Sequence, residues 1–469
     1  MAKKASSGDK RSRSKTKTQP DSNPRKRKSA GAAAAPGRGR KTANLLHAGA
    51  DQPGGEEAHT VAGPQFAEGS ATPDPAEFKV KHLSDTQAYK ILDSEKPRPM
   101  GFPPPRGGTE PVLKLAAIWG SSGSSIEDRI KSNGQIVFHA VGDTGNTRGP
   151  ATQDEVADKM VSDFDEADPT DLPKFFFHLG DVVYSFGEAD YYYDQFYDPY
   201  RNYPAPIVAL AGNHDGMVAP NTNAETLRAF LDNFCQTEFV ITPQAGGLSR
   251  TAQIQPGVFF TFEAPFVRIL ALYSNVLEDP GVISSQNGKY SEVPDNQLEY
   301  LRAALTRVKT ERYQGALIIA HHHPIYAATS RHGDSPEMQK EIDDICKEVG
   351  VWPHAVLSGH AHDYERFTRE RNGTQVPYVV CGNGGHGLPR FTSKLAAPPR
   401  TPAKLELPGP DSITLENYDG KDYGYLRIIA NDKQLRIEYH PASDGAGVKT
   451  PDDFVTVDLA TRKLVHFNP

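Results

Sequence analysis

Asp181 and Tyr184 stand three residues apart at the end of the stretch 174–184, KFFFHLGDVVY, where they offer a carboxylate and a phenol to one point in space. A carboxylate has two oxygens and can bridge two cations about 3.5–4 Å apart, the arrangement that clamps a phosphate ester for in-line attack. Such a centre needs further oxygen and nitrogen donors, and four more blocks supply them. They are Asp143 in GDTG (142–145), Asn213 and His214 in GNHD (212–215), three histidines in HHHP (321–324), and His360 and His362 in GHAH (359–362). Any one block alone reads as an ordinary turn. Five together, each with a donor suited to a metal, point to a dinuclear site.

The elements that must position these donors are short apolar runs. FFFHL (175–179), QIVFHAV (135–141), PIVALA (206–211), GALIIA (315–320) and HAVLS (354–358) each end in one block, as strands covered on both faces do. In four of the five a glycine stands immediately before the polar residue, where it lets the chain turn sharply at the carboxyl end of a strand. Helical patterns lie between them. Over 294–309, Leu298, Leu301, Leu305 and Val308 form one stripe. Ser335-Pro336 reads as a cap and first helical residue, followed by a buried face of Met338, Ile342, Ile345 and Val349 and closed by Gly350. Strands alternating with helices predict a layered α/β fold with crossover helices. Asn372-Gly373 reads as a hairpin turn, the runs 425–429 and 435–439 as a terminal hairpin, and the Pro- and Lys-rich stretch beyond Gly385 to about Asp422 as loops. The aromatic group Tyr191, Tyr192, Tyr193, Phe196, Tyr197 and Tyr200 is assigned to helix packing rather than to a substrate cleft.

The series GDTG, GDVVY, GNHD, HHHP, GHAH resembles the calcineurin-type metallophosphoesterase superfamily, and within it the purple acid phosphatase branch. Two features discriminate. Most of the superfamily has D-x-H in the first block, where this chain has Asp143-Thr144-Gly145; the branch lacks that histidine and has a tyrosine three residues after the bridging aspartate, as Tyr184 is. GHAHDYER (359–366) matches the GHxHxYER form of the branch. The resemblance runs from about Gln135 to Gly385 and weakens through the final hairpin. It implies a four-layer α/β/β/α sandwich and two metal ions, Fe(III) with Fe(II), Zn or Mn as partner. One ion would take Asp143, Asp181, Tyr184 and His362; the other would take Asp181, Asn213, His322 and His360. His322 is chosen among the three histidines because it stands two residues before Pro324, which leaves His321 and His323 to packing or support.

The implied reaction is hydrolysis of phosphate monoesters by a metal-bound hydroxide; the alternative is a phosphodiesterase or nucleotide hydrolase on the same core. A tyrosine free in water has a pKa of about 10, so Tyr184 needs a trivalent cation to bind as phenolate, and its charge transfer would colour the protein. Asn213, His214, Arg331 and His332 are expected to contact the phosphate, with His214 the first and His332 the second candidate for general acid. Arg331 stands where plant members have the first of two histidines and could clamp a phosphate oxygen as a planar fork. Asp215 replaces the usual glutamate and is expected to support the ligands.

Charge is unevenly spread. The 469 residues carry a net charge of −7, yet the first forty or so are strongly basic, with KRSRSKTK and PRKRK blocks among Ser, Gly, Ala and Pro. A segment with so little to bury predicts a disordered tail over 1–72. Weak nucleic-acid contact is its functional alternative, disfavoured because no aromatics interleave the basic residues. A Pro/Gly-rich lead-in follows over 73–134, too short for the sandwich domain that precedes the catalytic domain in plant purple acid phosphatases. The catalytic domain is expected over 135–469. Cys235, Cys346 and Cys381 sit in apolar sequence without metal-ligand spacing and read as reduced core residues. No run approaches a membrane span and none resembles a signal-peptide core, which predicts a cytoplasmic protein; the resemblance implies that its partner is a phosphorylated small molecule or other phosphoester substrate.

Overall fold

A computed structural model of the chain describes residues 58–66, 97–165, 168–219, 222–328, 332–390, 397–406 and 411–465. Most of the expected basic tail, and Arg331, lie outside the described residues.

Two sheets carry the fold. In the first, Gln135–Val141, Phe176–His178 and Ile207–Ala209 run parallel. The antiparallel strands Gly424–Asn431, Gln434–Pro441, Asp453–Asp458 and Lys463–Leu464 extend this sheet beyond Gln135–Val141. In the second, Thr374–Cys381, Ala355–Ser358, Ala316–Ala320 and Val267–Ala271 form a parallel centre. Tyr364–Arg371, Ser412–Asp419 and Ala403–Leu405 lie on one side of it, and Phe260–Ala264 and Val112–Lys114 on the other.

Side-chain alternation explains how the sheets meet. Phe175 and Phe177 point to the second sheet, with ring centroids 4.7 and 6.3 Å from Phe262. Phe176, one residue out of phase, points the other way to Tyr200 and Tyr203. At the far end Tyr364 stacks on Tyr439 at 4.0 Å, again bridging the sheets. Helices cover the outer faces, so the layers run α/β/β/α. The helix Asn296–Thr310 buries Leu301, Leu305 and Val308, and Pro336–Val349 buries Met338, Ile342, Ile345 and Val349. The aromatic group 191–200 forms a 3-10 turn ending at Tyr191 and a wider π turn over Tyr193–Tyr197, with Tyr192, Phe196, Tyr197 and Tyr200 buried in the core.

Several expectations need amending. Ser335 precedes its helix, but its hydroxyl makes no cap hydrogen bond; it accepts the Gly281 N–H at 2.9 Å and so ties the helix start to a site loop. The stretch beyond Gly385 is not all loop, because Ser412–Asp419 pairs with Tyr364–Arg371 from Tyr364 to Glu370. Its sequence, SITLENYD, buries only Ile413 and Leu415, too weak an alternation to stand out. Inside the segment expected to be tail, His59–Thr60 pairs with Val240–Ile241, and Phe66 packs edge-on against Trp119 at 5.1 Å. Within the lead-in, Val112–Lys114 joins the second sheet and the helix Gly123–Asn133 packs beside Gln135–Val141. No helix among the described residues is long and apolar enough to cross a membrane.

Candidate metal centre

The parallel strands of both sheets deliver their carboxyl ends to one place. Asp143 lies two residues past Gln135–Val141, Asp181 three past Phe176–His178, and Asn213 four past Ile207–Ala209. His322 and His360 each lie two past Ala316–Ala320 and Ala355–Ser358. The structure brings Asp143, Asp181, Tyr184, Asn213, His322, His360 and His362 together, all buried. The donor atoms of Asp181, His322 and His360 lie within 4.8 Å of one another, and so do those of Asp143, Asp181 and His362. Asp181 belongs to both groups.

Hydrogen bonds outside the cluster decide which ring nitrogens face inward. His322 Nδ1 donates to the Leu179 carbonyl at 2.8 Å, which turns Nε2 inward, where the neutral ring offers a lone pair. That lone pair faces Asn213 Oδ1 at 3.0 Å and Asp181 Oδ2 at 3.3 Å. His362 Nδ1 donates to the Gly387 carbonyl at 3.2 Å, and its Nε2 faces Asp143 Oδ1 and the Tyr184 oxygen, each at 3.3 Å. His360 Nε2 donates to the Glu278 carbonyl at 2.5 Å, so Nδ1 keeps its lone pair. Lone pairs aimed at carboxylate oxygens repel unless a proton or cation lies between them. The donor set therefore fits two cations: carboxylate and phenol oxygens beside one imidazole on one side, imidazoles and an amide oxygen on the other.

The protonation pattern carries the same strain. Burial opposes a charged His322, but Asp181 and Asp143 hold the ring up to about 9. Burial likewise works against a charged Asp181, yet His322 and His214 keep it well below the usual carboxylate range. Burial drives Asp143 well above that range and lowers His360 to about 3.

Four of these residues take a left-handed backbone: Asp143 (φ 57°), Asp181 (55°), His360 (71°) and His362 (58°). Each costs on the order of 1 kcal/mol or more for a residue with a Cβ, and the surroundings must enforce it. Close packing does so. A Cβ on Gly212 would lie 2.1 Å from Asp181 Oδ1. One on Gly145 would lie 2.4 Å from Gln195 Oε1 and 3.1 Å from the Tyr184 ring, so the glycine of the first block makes room for the tyrosine of the second. Gln195 fixes Tyr184 from both sides of its peptide, accepting its N–H at 2.9 Å and donating to its carbonyl at 3.0 Å. Asp215 accepts the N–H groups of Val182, Val183 and Gly212 at 2.8–3.1 Å and so locks the Asp181 turn to the Asn213 turn.

The remaining predicted residues divide. His214 lies at the cluster, its N–H bonded to Asp181 Oδ1 at 2.9 Å and its Nδ1 donating to the Ser185 carbonyl at 2.7 Å. Its Nε2 lies 3.9 Å from Glu278 Oε1. His332 is also at the site, with ring centroids 4.3 Å from His360 and 5.3 Å from His362. His323 is committed elsewhere, to Ser274 at 2.8 Å and the Leu277 carbonyl at 2.7 Å; His321 bonds the His323 carbonyl at 2.6 Å. Sequence reading missed Glu278 and Asp279, whose loop faces His214, His332 and His360, and it missed His386, which lies against Tyr184. The signal for His386 was present: VPYVVC (376–381) is a sixth apolar run, and it leads into glycines and a histidine in GNGGH (382–386).

Fold and clustered donors together are of the kind that a metal-dependent phosphoesterase uses. Residues 79–364 match the family model described as calcineurin-like phosphoesterase, and the chain belongs to that family. Among its relatives, purple acid phosphatase 18 of Arabidopsis thaliana is 33% identical over 122 residues, 24% of this chain and 27% of that protein. Purple acid phosphatase 17 of the same plant is 24% identical over 266 residues, 54% of this chain and 70% of that protein. The chain thus spans about a quarter of the length of the former. The purple acid phosphatase PPD1 from yellow lupin (Lupinus luteus) seeds superposes with a TM-score of 0.47 at 16% identity, over 69% of this chain and 54% of that one.

Proposed function

We propose that the protein is a purple acid phosphatase-like hydrolase of phosphate monoesters with two metal ions, Fe(III) and one of Fe(II), Zn or Mn. The observation that carries this reading is the convergence of the buried, inward-facing nitrogens of His322 and His362 on carboxylate oxygens, with Asp181 common to both donor groups. Asp143, Asp181, Tyr184 and His362 would hold the trivalent ion, and Asp181, Asn213, His322 and His360 the divalent one. When bound, such a pair polarises the phosphoryl group and makes water nucleophilic near neutral pH.

The chain's own residues do the rest. Leu179, Gly387 and Glu278 carbonyls fix the tautomers of His322, His362 and His360. His214, anchored through its backbone to Asp181 and through Nδ1 to Ser185, presents Nε2 to a phosphate oxygen or to the leaving group, to which it would give a proton. His332 stands over His360 and His362 as the second such group. Arg331, its neighbour in sequence, would clamp a phosphate oxygen.

Turnover of a chromogenic phosphomonoester and of the matching diester by Fe/Zn- or Fe/Mn-loaded protein tests the reading. Monoester hydrolysis far above that of D181N is expected. Preference for the diester would replace the monoesterase assignment by the phosphodiesterase one, and a metal-replete sample no faster than D181N on either would refute both.

A further inference from the structure

We infer that His386 is a positioning residue that sets the ring plane of Tyr184, and so the direction in which the phenolic oxygen meets the metal. The inference rests on the reading of Tyr184 as an iron ligand. The two rings lie face to face, with centroids 3.7 Å apart and planes within 12°. His214 also packs against the ring, at 4.4 Å and a tilt of 42°, so two imidazoles contact the tyrosine.

His386 is itself fixed. Its N–H donates to the Asp143 carbonyl at 2.9 Å, and Nδ1 donates to the Gly145 carbonyl at 2.8 Å. The preceding glycines are clamped too: Gly384 N–H donates to the Gly142 carbonyl at 3.1 Å, and the Gly385 carbonyl accepts from Asn146 Nδ2 at 2.9 Å and Thr152 Oγ at 2.6 Å. The ring is thus built onto the same 142–145 turn that carries Asp143.

Physical chemistry gives this arrangement a purpose. The second side-chain torsion of tyrosine has a broad, two-fold well, so the phenol alone does not fix its plane. Overlap between the phenolate π system and the metal depends on that plane, and with it the energy and sharpness of the charge-transfer absorption. A face-to-face neighbour removes the freedom at a cost borne by the rigid 382–386 turn. Hydrogen bonding to Asp143 at 3.0 Å sets where the oxygen sits, but not the tilt of the ring.

The test compares the iron-loaded full-length protein with H386F, which keeps a flat ring in place, H386A, which removes it, and H386N, which keeps a polar group able to reach the Gly145 carbonyl. Visible absorption and iron retention against a competing chelator are read for each. H386F is expected to keep the band of the unaltered protein. H386A and H386N are expected to shift and broaden it and to hold iron about three- to ten-fold less tightly, the equivalent of a stacking contact of roughly 0.5–1.5 kcal/mol. A band in the unaltered protein that H386A and H386N both leave in place, with unchanged retention, overturns this inference alone; so does an H386F protein that behaves like H386A. An iron-loaded, unaltered protein with no band removes the Tyr184 ligand assignment and this inference with it. H386F and H386N keep the comparison decisive if H386A fails to fold.

Discussion

Replacing Asp181 by asparagine should uncouple metal binding from stability while leaving the fold in place. The substitution conserves shape, and an amide oxygen can still accept the His214 N–H that Asp181 Oδ1 accepts at 2.9 Å. What it removes is the one negative charge common to both donor groups. At about 4 Å and an effective dielectric near 20, a unit charge contributes about 4 kcal/mol per unit charge of the ion, a floor for the divalent and trivalent ions proposed. Loss of that amount corresponds to roughly a thousand-fold weaker binding.

Stability reports this directly. With each ion at about a hundred times its dissociation constant, binding stabilises the folded chain by about 2.7 kcal/mol per ion, or about 5 kcal/mol for the pair. An unfolding entropy of about 2 cal/mol/K per residue turns this into a rise in Tm of about 6 °C for a domain of this size. At the same metal concentrations D181N would be about one-tenth occupied, and its Tm should not move. Thermal unfolding of metal-free protein titrated with Zn, and with iron under anaerobic conditions, measures both. Metal-induced shifts of equal size in the two proteins would refute the shared-carboxylate argument, as would an unaltered protein whose Tm ignores both metals.

Y184F, which keeps the ring but loses the hydroxyl bonded to Asp143, should fold and bind a divalent ion yet show no visible band when iron-loaded; absorption spectroscopy decides it. D215A strands the N–H groups of Val182, Val183 and Gly212 in a buried turn, and urea unfolding should show a loss on the order of 2–5 kcal/mol together with weaker metal retention. Glu438 is opposed by burial but held down to about 2 from an ordinary 4.5 by His440 and Arg436, so its contribution is complete above about pH 4.5 and is lost as pH falls through about 2. E438Q should therefore be less stable than the unaltered protein by on the order of 2–3 kcal/mol at pH 7, and denaturant curves taken down the acid side should show the gap closing toward pH 2.

The convergence of donors was legible because each stands directly after an apolar run, where strand period and glycine position leave little choice of direction. Tyr184 was legible through its spacing from Asp181, and the sheet-covering helix Asn296–Thr310 through its stripe of leucines. Partners that act through the backbone were not. The carbonyls of Leu179, Glu278 and Gly387 choose which nitrogen each histidine turns inward, and a carbonyl leaves no trace in residue type. Ser335 shows the converse, since a good cap residue was diverted to a tertiary contact with Gly281 that only the assembled fold offers.

The left-handed conformations of Asp143, Asp181, His360 and His362 were hidden for a deeper reason. Local preference argues against them, so no window of sequence can announce them; only the neighbours that exclude every other arrangement can. Those neighbours are largely glycines, whose own signal is a gap: Gly212 matters because nothing stands between it and the Asp181 carboxylate, and Gly145 because its missing side chain admits the ring of Tyr184. The glycines that sequence reading took as hinges for turning a strand are, in the folded chain, also the spaces into which donor side chains from other strands are pressed. A site assembled this way couples its parts, so a methyl group added at Gly212 should disturb Asp181, and through it both donor groups, as surely as a change to the carboxylate itself.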